Sequence, residues 1–368
     1  MTTIHLAIFG IGNVGSTLIN QIQNIKSKLL TEQGLDIQIP VITNSTLAFF
    51  SNDINGQWEV DFENFSEPYN VEDIIRHFKA LNVENAIAID VTASQSFIAH
   101  YETLIENGFH IISANKVANT LSFNYYKKLR KLLDENNKTF LYETNVGAGL
   151  PIIETIRNLH QSGEKVEKIK GVFSGSLSYI FNQFSEGSLP FDQVLNDAVS
   201  QGLTEPDPRE DLSGKDVARK LLILARELGS NAELNDVKIE SLVPKQLNGT
   251  TTLQEFKQRS HELNSIFETN RSQQKEASVL RYVGQLDVLN NVLEVKLISE
   301  PKASPLGQLK GSDAIFEIYT ESYNSQPLVI QGAGAGAQVT ARGVFGDILR
   351  LSNTLIKKPC INQARNII

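Results

Sequence analysis

An α/β domain with a doubly wound parallel sheet, followed by a smaller mixed α+β domain, is the fold class that this sequence predicts. Three observations carry the prediction. The chain opens on a strand, a glycine-rich turn and a helix; apolar strands then alternate with helical stretches as far as Leu150; and beyond Pro151 the elements become mixed, with alternating strands on either side of short turns. At 368 residues the chain is long for one core, which favours two domains. The boundaries read as 1–150 for the first domain, 151–331 for the second, and 332–368 for a segment returning to the first.

Ile4 to Phe9 reads as a buried strand, followed at once by Gly10-Ile11-Gly12-Asn13-Val14-Gly15 and a helical pattern to about Lys28. This is the Rossmann-type dinucleotide fingerprint in its required context. Gly10 permits the tight turn, Gly12 lets a pyrophosphate approach the backbone, and Gly15 lets helix and strand pack closely. The N–H groups at the helix start, around Asn13 and Val14, favour phosphate. The next strand, Ile37 to Thr43, ends at Thr43-Asn44-Ser45. That is neither the acid that suits a free ribose 2′-hydroxyl nor the arginine that suits a 2′-phosphate, so NAD and NADP both stay open.

Two more strands end in polar junctions: Ala86 to Asp90 before Val91-Thr92-Ala93-Ser94, and Phe109 to Ser113 before Ala114-Asn115-Lys116. Ligands of open parallel sheets sit at the carboxyl ends of strands, which puts Thr92 and Lys116 where a cofactor would be touched. Ordinary junction polarity is the plainer reading of each. Tyr142 to Pro151 closes a strand and opens a helix through Gly147-Ala148-Gly149, a turn able to aim successive carbonyl oxygens inward and so to suit a hard cation of low charge. Taken alone it is a tight strand-to-helix turn.

In the second domain Ile152 to His160 reads as helix, Lys168 to Phe173 as strand and Ser176 to Phe184 as helix, with Ser176 in a position typical of an N-cap. Leu253 to Arg271 is a polar helical stretch expected to cover a sheet. That sheet is built from antiparallel hairpins, Leu280–Asp287 with Val292–Ser299 around Asn290-Asn291, and Ala314–Thr320 with Leu328–Gln331. The run Gly332 to Ala337 alternates glycine and alanine and leads into a helix to about Leu351, either as a hinge or as an anion-friendly helix start.

The richest stretch is Ala198 to Lys220. Its first half gathers Glu205, Asp207, Glu210 and Asp211 around two prolines, a rigid acidic loop such as might receive an ammonium. Its second half enters a helix on which Asp216 and Lys220 share a face. Val217, Leu221, Leu224 and Leu228 form the core stripe, and Lys215, Arg219 and Arg226 the solvent arc. Asp216 and Lys220 fall between the arcs. A half-buried pair there could hold a lysine in one geometry and adjust its proton affinity, whereas a surface ion pair is the plainer reading.

The intervals of Ala198, Gly202, Asp207-Pro208, Asp211-Leu212, Gly214, Asp216 and Lys220 resemble the signature of homoserine dehydrogenases, and the resemblance extends from Gly10 to Arg350. It implies NAD(P)-dependent interconversion of L-homoserine and L-aspartate 4-semialdehyde in threonine and methionine biosynthesis. It also implies that Lys220 is the proton carrier, that Asp211 and Asp216 hold the substrate and orient that lysine, and that Glu205 binds the substrate ammonium. Ser176, usually threonine in the family, keeps a hydroxyl for the substrate. Lys116 would stand near nicotinamide and substrate, and Gly202 and Gly336 would touch the cofactor. Backbone oxygens at Glu143, Val146, Ala148 and Leu150 would hold a structural sodium ion. A homodimer through the second domain is expected likewise. Leu203 departs from the family's usual tyrosine, which bears on one substrate contact and not on the reaction. Neither an appended regulatory domain nor a fused kinase half is expected, nor threonine feedback through one.

The formal charge of −8, with no basic run, leaves no electrostatic footprint for nucleic acid or anionic membrane. The single cysteine, Cys360, cannot form an internal disulfide, and the apolar opening is too short to span a membrane and lacks the pattern of a signal peptide. A cytoplasmic protein is expected. The six histidines make no metal-ligand spacing. Two competing readings remain: a related dehydrogenase of another amino-acid semialdehyde or keto acid, and a nucleotide-binding regulator without turnover. The acidic loop at Glu205 favours an ammonium-bearing substrate over the first. The retained Asp216/Lys220 pair speaks against the second.

Overall fold

A computed structural model describes residues 1–249 and 251–356, so Cys360 lies outside the described residues. The chain divides into two compact units, one of residues 1–119, 124–145 and the segment beginning at Ala337, the other of residues 120–123 and 146–336.

The first unit is built on a seven-stranded sheet: β1 (Thr2–Phe9), β2 (Leu35–Thr43), β3 (Leu47–Phe50), β4 (Glu67–Pro68), β5 (Ala86–Asp90), β6 (Phe109–Ser113) and β7 (Phe140–Leu141), in the order β4-β3-β2-β1-β5-β6-β7. β1 pairs in parallel with both β2 and β5, and β6 and β7 continue the parallel run. The order therefore reverses at β1, where an open α/β sheet binds its ligands. β3 and β4 form an antiparallel extension that the sequence reading did not foresee. Its cause is local: the Asn44 side chain accepts from the N–H groups of Thr46 and Leu47, folding the chain back on itself after β2. Pro40, which has no N–H to give, falls where the β1–β2 register slips between His5 and Ala7.

The first helix runs beyond the predicted Lys28 to Gln33, because Leu29 still buries its side chain, and it stops at Gly34 in the left-handed conformation. Together with the helix Ala337–Ile356 it packs Leu18, Ile22, Val344 and Ile348 into one core with the apolar β1 and β2.

The second unit carries a six-stranded sheet of β8 (Val166–Val172), β9 (Lys238–Ile239), β10 (Ser278–Asp287), β11 (Val292–Pro301), β12 (Asp313–Thr320) and β13 (Leu328–Ala333), ordered β13-β12-β8-β10-β11-β9. Both predicted hairpins form, and only the β9–β11 pair is parallel. The helices Gly175–Glu186 and Lys215–Glu227 lie on one face of this sheet. The expected single helix from Leu253 to Arg271 is instead two, Leu253–Arg259 and Leu263–Ser272. Nor does the second of these cover the sheet: Phe267 stacks on Phe191 with ring centroids 3.7 Å apart and meets Phe181 and Phe184 edge-on, so it covers helices. No described helix is long and apolar enough to cross a membrane.

One assignment on the helical wheel is overturned. Arg226 is buried, not on the solvent arc that Lys215 and Arg219 occupy. Its guanidinium donates to the carbonyls of Leu121 and Ala232 and to the Glu233 carboxylate, tying two loop segments to the end of the helix. A planar five-donor group can serve backbone acceptors that a wheel of one helix does not reveal. Arg226→Met takes the guanidinium donors from the buried Ala232 carbonyl and is expected to cost about 2 kcal/mol. A urea midpoint equal to the parent's would show that water replaces the guanidinium without loss.

Candidate functional site

In the first unit the fingerprint glycines divide their tasks as the sequence indicated. Gly10 has φ +99°, and a Cβ there would lie 3.1 Å from the Val91 carbonyl oxygen. A Cβ on Gly15 would fall 1.9 Å from the Gly10 carbonyl oxygen, so any side chain would part helix from strand. At Gly12 a Cβ would meet nothing within 4 Å, which leaves the backbone open to an approaching phosphate. Gly12 caps the helix Asn13–Gln33 without a side-chain bond, and no acid stands in its first turn.

The strand ends beside it are fixed by a buried polar network. Asp90, the last residue of β5, accepts from the N–H and the hydroxyl of Thr92 and from the Tyr101 hydroxyl, 2.7 Å away. Tyr101 also reaches Ser113 at the end of β6. The Asn115 amide donates to the Ser94 carbonyl, and its oxygen accepts from the N–H of Val117, starting the short helix that follows Lys116. Asn145 donates to the Ser113 carbonyl and accepts from Asn119. Thr92 and Lys116 thus stand on junctions held from beneath. Sequence reasoning missed Asp90, Tyr101, Asn115 and Asn145 as their supports. The signal available was an acid ending an otherwise apolar strand.

Of the expected cation positions, Glu143 lies in the first unit, buried, with its N–H bonded to Asp347 and its carboxylate 3.8 Å from Arg350. Val146, Ala148 and Leu150 lie in the second unit. There Gly147 and Ala148 take consecutive left-handed conformations at φ +78° and +52°, the second uncommon for a residue with a Cβ. Among the described residues no group of three or more His, Cys, Asp or Glu side chains could hold a metal ion.

The second unit brings the other candidates together. Lys220 is 9 % exposed, and its ammonium donates to the Phe173 carbonyl at 2.7 Å and pairs with Asp216 at 2.7 Å. Phe173 follows β8 and precedes Ser174, whose hydroxyl caps the helix Gly175–Glu186 by accepting from the Leu177 N–H. Ser176 is therefore not the N-cap that its position suggested. It lies within the first turn, 2.9 Å from the Ser174 hydroxyl, and donates to Asp211 at 2.6 Å. The other Asp211 oxygen accepts the Glu205 N–H. Asp211, Ser176, Phe173, Lys220 and Asp216 so form one connected constellation, with Glu205 at its exposed rim. Gly202 and Gly336 both have left-handed φ, +67° and +113°, a backbone reason for glycine at each. Leu203 donates its N–H to the Ala198 carbonyl at the end of the helix Phe191–Ser200.

The sequence model of the homoserine dehydrogenase family matches residues 151–349, and that of the homoserine dehydrogenase NAD-binding domain matches residues 10–143. A chloroplastic bifunctional aspartokinase/homoserine dehydrogenase 1 of Zea mays is 41 % identical over 359 residues, which cover 96 % of this chain and 39 % of that protein. The chain thus spans about two fifths of the length of the curated relatives it matches. A crystal structure of a protein of unknown function from Candida auris is 34 % identical with a TM-score of 0.88, covering 96 % of this chain and 99 % of that one. A hyperthermophilic archaeal homoserine dehydrogenase in complex with NADPH, 23 % identical, shares the fold at a TM-score of 0.72 over 97 % of this chain and 99 % of that one.

Burial holds the Asp90 carboxyl above its ordinary value of 3.8, against donors from Thr92 and Tyr101 that favour the charged form. The folded chain keeps this proton to higher pH than the unfolded chain, so this group makes stability fall as pH rises from about 3.8 through the raised native value. Asp90→Asn removes the titration. The stability of the parent relative to the variant, read from urea midpoints, is expected to be greater at the acid end of that window than at about pH 7. A difference constant with pH would contradict the raised value.

Proposed function

The chain belongs to the homoserine dehydrogenase family, and from that premise we propose that it interconverts L-homoserine and L-aspartate 4-semialdehyde with a nicotinamide dinucleotide. The observation that carries the proposal is the Lys220 ammonium held between Asp216 and the Phe173 carbonyl, beside the Ser176–Asp211 pair.

In oxidation the alcohol of homoserine loses its hydroxyl proton to the Lys220 amine as a hydride leaves the carbon that bears it, and the C–O bond becomes a carbonyl. When bound, the nicotinamide supplies the hydride acceptor, and in the reverse direction the hydride donor. In reduction Lys220 returns the proton to the developing alkoxide, so one group serves as base and acid. Asp216 keeps the lysine aimed. Glu205, on the exposed rim, offers a carboxylate to the substrate ammonium, and Asp211 and Ser176 offer further polar contacts. Gly10, Gly12, Asn13, Val14, Gly15 and Thr92 are proposed to hold the dinucleotide, with Gly202 and Gly336 as further contacts and Lys116 serving both cofactor and substrate. Asn44 spends its side-chain oxygen on the turn after β2, leaving no charged group at Thr43-Asn44-Ser45 to discriminate a 2′-hydroxyl from a 2′-phosphate.

The curl at Gly147 and Ala148 supports binding of a monovalent cation by the backbone oxygens of Val146, Ala148 and Leu150. Leu150 already accepts the Ile152 N–H, which leaves its carbonyl a second lone pair. The curated relatives join this activity to an aspartokinase, which supports a place in the aspartate-derived synthesis of threonine and methionine. A homodimer and a cytoplasmic location complete the reading.

Purified protein with L-homoserine is expected to reduce NAD or NADP, followed at the reduced-nicotinamide absorbance, and to oxidise the reduced cofactor with aspartate semialdehyde. Faster turnover of another amino-acid alcohol would redirect the substrate assignment, and cofactor binding without any turnover would favour a regulator. Lys220→Ala is expected to keep cofactor affinity and lose turnover by a factor on the order of a hundred or more. Glu205→Gln is expected to raise KM for homoserine by roughly tenfold, as for loss of a charged hydrogen bond; an unchanged KM would remove Glu205 from the ammonium site.

A further inference from the structure

We propose that Phe173, seated on the paired strand glycines Gly171 and Gly284, is a positioning residue that sets the reach of Lys220; the proposal rests on the reading of Lys220 as the proton carrier. A lysine has a flexible four-carbon stem, so its nitrogen is only as well placed as its partners. Asp216 stands one turn earlier on the same helix and moves with it. The Phe173 carbonyl comes from the end of β8, so it is the partner that ties the ammonium to the sheet.

What places that carbonyl is the Phe173 ring. It is 1 % exposed and stacks on Phe316 with centroids 4.6 Å apart, over a bed of two glycines. Gly171 and Gly284 are partners across β8 and β10, and Phe316 of β12 is the opposite neighbour of Gly171. A Cβ on Gly171 would fall 2.6 Å from Cε1 of the ring, and one on Gly284 would fall 2.9 Å from Cε2. Neither glycine has a positive φ, so what both supply is space. The ring cannot simply turn aside from an added methyl, because Phe316 closes its other face.

Gly284 also governs the other end. Its Cβ would lie 3.2 Å from Cγ1 of Val217, on the helix that carries Lys220. One methyl group at Gly284 therefore presses on both the sheet anchor and the helix of the same hydrogen bond. A core this close-packed passes such a shift on to the lysine.

The test compares the full chain with Gly284→Ala, with Gly284→Ala combined with Phe173→Leu, and with Lys220→Ala. Gly284→Ala is expected to lower kcat for homoserine oxidation by about tenfold or more, as for a misplaced reacting group. The KM for cofactor should stay within about twofold, because the dinucleotide is not touched. General loosening of the fold would change the KM values together with kcat. Phe173→Leu in the Gly284→Ala background removes the ring that the methyl strikes and is expected to restore part of kcat. Parental kcat in Gly284→Ala, with turnover lost in Lys220→Ala, would overturn the positioning role while leaving Lys220 in the mechanism. Turnover retained by Lys220→Ala would overturn both. Should Gly284→Ala fail to fold, Phe173→Leu alone lifts the ring from its bed. A lowered kcat with an unchanged cofactor KM then supports the proposal, and parental values overturn it.

Discussion

The bond from the Lys220 ammonium to the Phe173 carbonyl is the constraint that fixes a buried charge in the second unit. A buried ammonium needs acceptors, because its desolvation is costly without them. Asp216 supplies charge, but its side chain is 46 % exposed and shares its attraction with water. The carbonyl supplies a fixed, dry acceptor from a different element. A lysine held in this way can give up a proton and take it back without losing its place.

The first unit solves a related problem by other means. Its strand ends must carry polar side chains out of a sheet whose core is apolar. Asp90, Tyr101, Ser113, Asn115 and Asn145 do so by spending their polar atoms on one another and on the junction backbone. A buried network of this kind is stabilising only when its members are satisfied, and then it fixes one geometry. Tyr101 illustrates the logic. Its hydroxyl sits between Asp90 and Ser113, and burial together with the Asp90 charge pushes its pKa well above the ordinary range, so it remains a donor.

Much of this was legible in the sequence because it lies in short windows with a single dominant cause. β5 and β6 fall at Ala86–Asp90 and Phe109–Ser113 as read, since a fully buried parallel strand is a bare apolar run between turn signals. The Lys220–Asp216 pair followed from helical spacing alone. What failed depended on partners distant in sequence. Arg226 was assigned to solvent because its acceptors, at Leu121, Ala232 and Glu233, lie outside the helix whose wheel was drawn. The antiparallel β3 and β4 turn on a single Asn44 side chain, and the cover over the helices on a phenylalanine cluster from three elements. Ser174, not Ser176, caps its helix, a shift that Ser-Gly-Ser could not decide locally.

The acidic loop shows why a cluster of carboxylates is not yet a binding site. Asp207 caps the helix Pro208–Leu212 through the Arg209 N–H, and the Arg209 guanidinium grips the same carboxylate and holds its pKa below the ordinary range. That guanidinium also donates to the Thr251 carbonyl, so Asp207 and Arg209 together fasten the loop to the chain ahead of the Leu253–Arg259 helix. Asp211 is turned the other way, toward Ser176. Between the two, Pro208 fixes the backbone at the helix start and keeps their directions apart. The spacing of the signature is therefore partly mechanical: one aspartate is committed to building the loop so that the other reaches Ser176. Gly214 completes the turn at φ +73°, in a place where a Cβ would fall 2.2 Å from the Tyr282 hydroxyl, so the helix bearing Lys220 starts from a position that only glycine allows.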